Sequence, residues 1–123
     1  MIRRMRVVRG QAIEEWLAAP HEDRRKADTT RARFLRAVHV IEQMGTLAGD
    51  DYLKKVRGYE SLWETRVSDR RVFSTIAGNA VLMAVVMEKK KQRLSAGKLR
   101  AIDVQVQRFA ETWREEDEGD RGR

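Results

Sequence analysis

An α+β fold, with two helices, a small antiparallel β-meander and a closing helix in that order, is what the patterning along this chain predicts. Three observations carry the prediction. Apolar residues recur at helical spacing from Ile13 to Met44, the period drops to two from Leu62 onward, and helical spacing returns after Ser95.

The elements follow in order. Arg4-Met5-Arg6-Val7-Val8 alternates charged and apolar residues and predicts a short edge strand. Ile13, Trp16 and Leu17 share a helical face within Gln11–Ala19, and Pro20 stops that helix because it cannot donate to the ladder. A longer helix is predicted from Glu22 to Met44, with Phe34, Ala37, Val38, Ile41 and Met44 as its buried stripe and Arg24, Arg25, Arg31, Arg33 and Arg36 mostly elsewhere on the wheel. Gly45 stands where a C′ glycine ends a helix. The short connection around Pro20 makes the two helices an antiparallel pair. A polar connection then leads to Lys54-Lys55-Val56-Arg57-Gly58.

In Leu62–Val67, Trp63, Thr65 and Val67 fall on one face and Leu62, Glu64 and Arg66 on the other, so one buried and one charged face are expected. Ser68-Asp69-Arg70 turns the chain back into Arg71–Ile76, and Gly78-Asn79 is a primed-turn pair. The apolar run Ala80–Met87 suits a strand covered on both faces. With Ser95 as N-cap, Leu99, Ile102, Val106, Phe109 and Trp113 mark the stripe of the last helix. Residues 1–118 are expected to form one domain and 119–123 a frayed tail.

Composition narrows the function. The 123 residues hold 26 Lys plus Arg against 19 Asp plus Glu, a formal charge of +7, which points to a polyanionic partner such as nucleic acid. Cysteine is absent, so disulfide scaffolds, thiol catalysis and thiolate metal sites are excluded, and two separated histidines, His21 and His39, make a metal cage improbable. No metal or other cofactor is expected. No apolar stretch is long enough to span a bilayer, and the four arginines of the first ten residues are not backed by an apolar segment, so no membrane partner and a cytoplasmic location are expected.

The cations fall at strand ends: Lys54, Lys55 and Arg57 before the meander, Arg66 and Arg71 across its first hairpin, Lys89 and Lys90 after the last strand. Antiparallel pairing predicts that they gather in one basic cleft that holds a phosphodiester. Lysine ordinarily keeps its proton at neutral pH. Crowding by Arg57, Arg66 and Arg71 would destabilise the ammonium of Lys55, making it the expected general base. Glu64 shares the face of Arg66, as a base or orienter or, more simply, as an ion-pair partner. Tyr59 beside the cluster is a base-stacking or structural turn residue. Trp16, Trp63 and Trp113 are expected in the core, and His39 on the helix surface or packed.

The blocks Lys54-Lys55-Val56-Arg57-Gly58-Tyr59, Leu62-Trp63-Glu64-Thr65-Arg66-Val67 and Arg71-Val72-Phe73, with an apolar strand closing on Met87-Glu88-Lys89-Lys90, resemble the RelE/ParE toxin superfamily, in particular its HigB-like branch. The resemblance runs from Ala12 to Trp113. It implies a RelE-like fold and a metal-free endoribonuclease that cuts mRNA on the ribosome, the toxin of a toxin–antitoxin pair, restrained by a cognate antitoxin with a helix-turn-helix. Carried over by position, Lys55, Arg57, Arg66, Arg71 and Lys90 would be catalytic, and Lys54, Lys89, Glu64 and Tyr59 would bind substrate. Arg66 and Arg71 would clamp the scissile phosphate, and Lys89 or Lys90 would support the leaving group or bind ribosomal RNA. Many such proteins carry a Tyr and a His where this chain has Ser74 and Val85. Catalysis then rests on Lys and Arg, or activity is weak, or the target differs. A ParE-like inhibitor of DNA gyrase and a non-catalytic nucleic-acid-binding module are the alternatives.

Overall fold

The computed structural model of the chain describes residues 4–20, 24–88 and 93–121. It is an α+β structure in which a five-stranded sheet lies between two helices on one face and one helix on the other.

The first strand, β1 (Arg6–Arg9), leads through Gly10 into α1 (Gln11–Ala18). Gly10 donates its N–H to the Met83 carbonyl at 2.8 Å, and a Cβ there would stand 3.1 Å from that oxygen and 3.3 Å from the Phe109 ring. A side chain there would have to press its neighbours back by a few tenths of an ångström. Helix α1 ends where Pro20 requires it: Ala19, held extended at ψ 138° by the ring that follows, is its C-cap. The second helix, α2 (Arg24–Met44), buries Phe34, Ala37 and Ile41 from the expected stripe. Trp16 meets Phe34 edge-on at 5.3 Å between centroids, and Arg31 donates to the Ala19 carbonyl. Later residues of α1 thus meet earlier residues of α2, as an antiparallel pair requires. Gly45 at φ +56° closes α2, and a 3₁₀ turn, Gly45–Ala48, carries the chain on.

Four strands follow: β2 (Lys54–Lys55), β3 (Trp63–Val67), β4 (Arg70–Ala77) and β5 (Ala80–Glu88), in the sheet order β1-β5-β4-β3-β2. The last four pair antiparallel, whereas β1 adds to β5 in parallel, so the sheet is mixed and not a pure meander. The α1–α2 hairpin is the reason. It carries the chain across the sheet, leaving β1 and β2, neighbours in strand sequence, on opposite edges.

Both hairpins have two-residue loops. Gly78 at φ +60° and Ser68 at φ +53° each take the first central position, the geometry of a II′ turn. Between β4 and β5, Phe73 pairs with Val85 while Ser74 pairs with Met83, so Ala84 is an extra residue in β5. Ala84 and Val85 consequently both pack toward α3, while Met83 and Val86 face α1 and α2. That is why the run Ala80–Met87 reads as unbroken hydrophobicity.

Helix α3 (Ala96–Arg121) begins at Ser95, whose Oγ accepts the Lys98 N–H at 3.2 Å. It continues to Arg121, into the stretch read from sequence as a tail, since each further residue of a nucleated helix gains a hydrogen bond. Ile102, Val106 and Ala110 of α3 cover Leu62, Phe73, Ala80 and Leu82. The face of β3 expected to present charge is therefore partly closed: Leu62 is fully buried beneath α3, and Glu64 is buried as well. Trp16, Trp63 and Trp113 are half-buried against the core clusters, and His39 is exposed. Among the described residues no helix is long and apolar enough to cross a membrane.

Candidate functional site

The Ser68-Asp69 turn sets the register of the first hairpin, and the register sets the site. It places Arg66 opposite Arg71 and Glu64 opposite Phe73 on the α3 side of the sheet. Two arginines facing each other across a ladder repel. Glu64, one pair further along, answers both: Arg66 Nε donates to Oε1 at 2.6 Å and Arg71 Nε to Oε2 at 2.5 Å, with Arg71 Nη2 also against Oε2. The Arg71 guanidinium lies 5.4 Å from the centroid of the Phe73 ring.

Burial separates the roles. The Glu64 side chain is 4% exposed, Arg71 14% and Arg66 50%. Arg71 is thus committed to holding Glu64, and Arg66 remains open to a ligand. β2 pairs with β3 only at Glu64 and Trp63, so at Arg66 the sheet has a free edge. Lys54, directly opposite Glu64, joins Glu64 and Arg66 in a cleft of about 260 Å³ whose other wall is Asp50 and Asp51.

The other described cations singled out from sequence lie elsewhere. Lys55 pairs with Trp63, whose ring packs on the α1–α2 side, so it belongs to the opposite face of the sheet from Lys54 and Glu64. A two-residue strand exposes both lysines, but alternation sends only one of them to this cleft. Arg57 is exposed in the turn Val56–Tyr59, where Gly58 at φ +89° permits the bend and Tyr59 donates its N–H to the Val56 carbonyl. Tyr59 packs with Val56 and Leu99 against the cluster of Leu62 and is partly buried. Lys89 and Lys90, like His21, lie outside the described residues.

Ser74 is fully buried and pairs with Trp63 and Met83, which places it on the α1–α2 side and away from Glu64. Its Oγ and that of Thr65 find no hydrogen-bond partner among the described residues. Val85 packs toward α3 opposite Phe73. So the described cations do not converge as one cluster: Lys54, Arg66 and Arg71 gather, and they gather around a carboxylate. Among the described residues no group of His, Asp or Glu is arranged to hold a metal ion.

A second feature begins at Arg66. Three hollows follow one another between α2 and the Ser68-Asp69 turn and a fourth, the Lys54–Glu64 cleft, continues them, all sharing walls: Lys26 and Asp69 are common to the first two, Arg33 and Ser68 to the second and third, and Arg66 to the third and last. Eight Lys or Arg and four Asp or Glu line this run. Arg25, Thr29, Arg33 and Arg36, spaced i, i+4, i+8 and i+11, form its α2 rim. Sequence reasoning noted these arginines only as the polar side of a helix. Their stripe is legible in the spacing, but not which strand turn would lie beside it.

No protein-family model and no curated protein matches this chain.

Proposed function

We propose that the protein is a ribosome-dependent mRNA endonuclease of the RelE/ParE type, HigB-like, acting as the toxin of a toxin–antitoxin pair whose antitoxin carries a helix-turn-helix. The observation that carries this reading is the Glu64 carboxylate fixed between Arg66 and Arg71 next to the point where the sheet edge opens, with Lys54 beside it. The helix–helix–sheet–helix layout that such a resemblance implies supports it.

RNA cleavage without a metal needs a base for the 2′-hydroxyl and positive charge for the phosphorane that forms. Glu64 meets the first need in place of Lys55. It accepts the hydroxyl proton, the freed 2′-oxygen attacks the adjacent phosphorus, and the 5′-oxygen leaves with a proton from water, giving a 2′,3′-cyclic phosphate and a 5′-hydroxyl. Arg66 and Lys54, both exposed, would neutralise the phosphate oxygens, and Arg71 keeps the carboxylate aimed.

The test is cleavage of a defined mRNA on translating ribosomes. The expected result is cutting only when ribosomes are present, with Glu64→Gln and Arg66→Ala each slowing it by about 10²–10³-fold. Absence of cutting by the wild-type protein, or rates unchanged in both variants, would reject the reading. Inhibition of gyrase supercoiling would replace it with the ParE-like one.

A further inference from the structure

The groove along α2 has a composition that the Glu64 centre does not explain. Among the described residues, Arg25, Arg33 and Arg36 have no carboxylate partner, and Arg33 donates only to Ser68 Oγ, at 3.1 Å. Nearby cations are already neutralised: Lys26 lies 3.6 Å from Asp69, and Arg70 lies 3.3 Å from Glu88. Three unpaired guanidiniums on one stripe of one helix repel each other, which an anionic ligand relieves.

We propose that this groove is a binding site for an RNA backbone, separate from the Glu64 centre and joined to it at Arg66. It rests on the RNA-binding half of the reading above and not on cleavage. From Arg25 to Arg36 the helix rises about 16 Å, the length of four or five phosphates on a stacked strand. The middle hollow, about 440 Å³, is lined by arginine, lysine, threonine and serine, a set that donates to phosphate oxygens, and by Asp69, whose charge Lys26 already meets. Guanidinium forks suit phosphates two oxygens at a time, and their spacing along the helix follows the repeat of a strand's backbone.

The experiment compares binding of a short labelled RNA, by fluorescence anisotropy across a salt series, to four forms of the full chain. These are wild type, Arg25→Gln/Arg33→Gln/Arg36→Gln, the charge-retaining Arg25→Lys/Arg33→Lys/Arg36→Lys, and a control that removes equal charge from exposed positions of α3, Lys98→Gln/Arg100→Gln/Arg108→Gln. Circular dichroism establishes that each is folded. The glutamine groove variant should bind roughly tenfold or more weakly, with the slope of log affinity against log salt shallower by about two. The lysine variant should regain that slope, and the α3 control should stay near wild type. Equal losses in the α3 control would reduce the effect to net charge and overturn the proposal, as would a groove variant that binds like wild type. Polyglutamate that binds as tightly as RNA, and is lost in the same variant, would assign the groove to an acidic polypeptide and overturn it too. The expected RNA pattern in a wild-type protein that cuts nothing upholds the groove and removes only the nuclease.

Discussion

Glu64 shows how one buried carboxylate governs its neighbours. Arg71 is nearly as buried as the glutamate it contacts, so removing Glu64 strands a guanidinium away from water, whereas Arg66 can turn to solvent. Glu64→Ala should therefore destabilise the fold by about 3 kcal/mol, read as a lower urea midpoint, and Arg66→Ala by less than about 1 kcal/mol. Equal losses would mean that Arg71 is not the partner that matters. From sequence, Glu64 was legible as an arginine partner because it alternates with Arg66 on one strand face. What could not be read is that Arg71 would reach it diagonally, or that α3 would close over Leu62 beside it. Placing Lys55 in the same cleft as Lys54 overlooks that neighbours on a strand face opposite ways, and a two-residue strand is too short for its pattern to reveal this in sequence.

Turns and helix ends were the most legible elements, because the signals that make them are local. Pro20 stops α1, Gly45 closes α2, Ser95 caps α3, and Gly78-Asn79 makes its hairpin through the chemistry of a few neighbouring residues. Ser68 makes the same II′ turn less comfortably, since a side chain at φ +53° crowds the following carbonyl. Ser68→Gly should stabilise the protein by about 0.5–1 kcal/mol, seen as a higher thermal midpoint, even though it gives up the exposed bond from Arg33. A lower midpoint would show that the Arg33 contact holds the turn. The parallel pairing of β1 was not legible, because nothing in Arg6–Arg9 says which of the sheet's strands it will join.

At the scale of the whole molecule, the sheet has no face to spare. Phe73 and Leu82 are fully buried only because α3 lies over them, just as Val72 and Val81 are by α1 and α2. A chain ended before Ala96 should lose its cooperative thermal transition and bind a hydrophobic dye, while one ended after Trp113 should keep the transition. A cooperative fold without α3 would refute this three-layer account. The same layering explains why the charge patterning was only half legible. An excess of cations is visible in composition, but the groove beside α2 exists only because the Ser68-Asp69 turn comes to rest against Arg25 and Arg33, a contact between segments some forty residues apart.

The surplus residue in β5 has a consequence for how this chain tolerates changes in its own length. Excising Ala84 would leave Val85 across from Phe73 and Met83 across from Ser74, as they stand now, and would merely straighten the ladder. Loss of Val85 would set Ala84, which packs toward the same helix, in its place, whereas loss of a residue nearer Ala80 would turn the side chains between it and the bulge to the opposite layer. The middle of this strand therefore holds a spare link, a place where one codon can vanish and the two hydrophobic layers stay in phase.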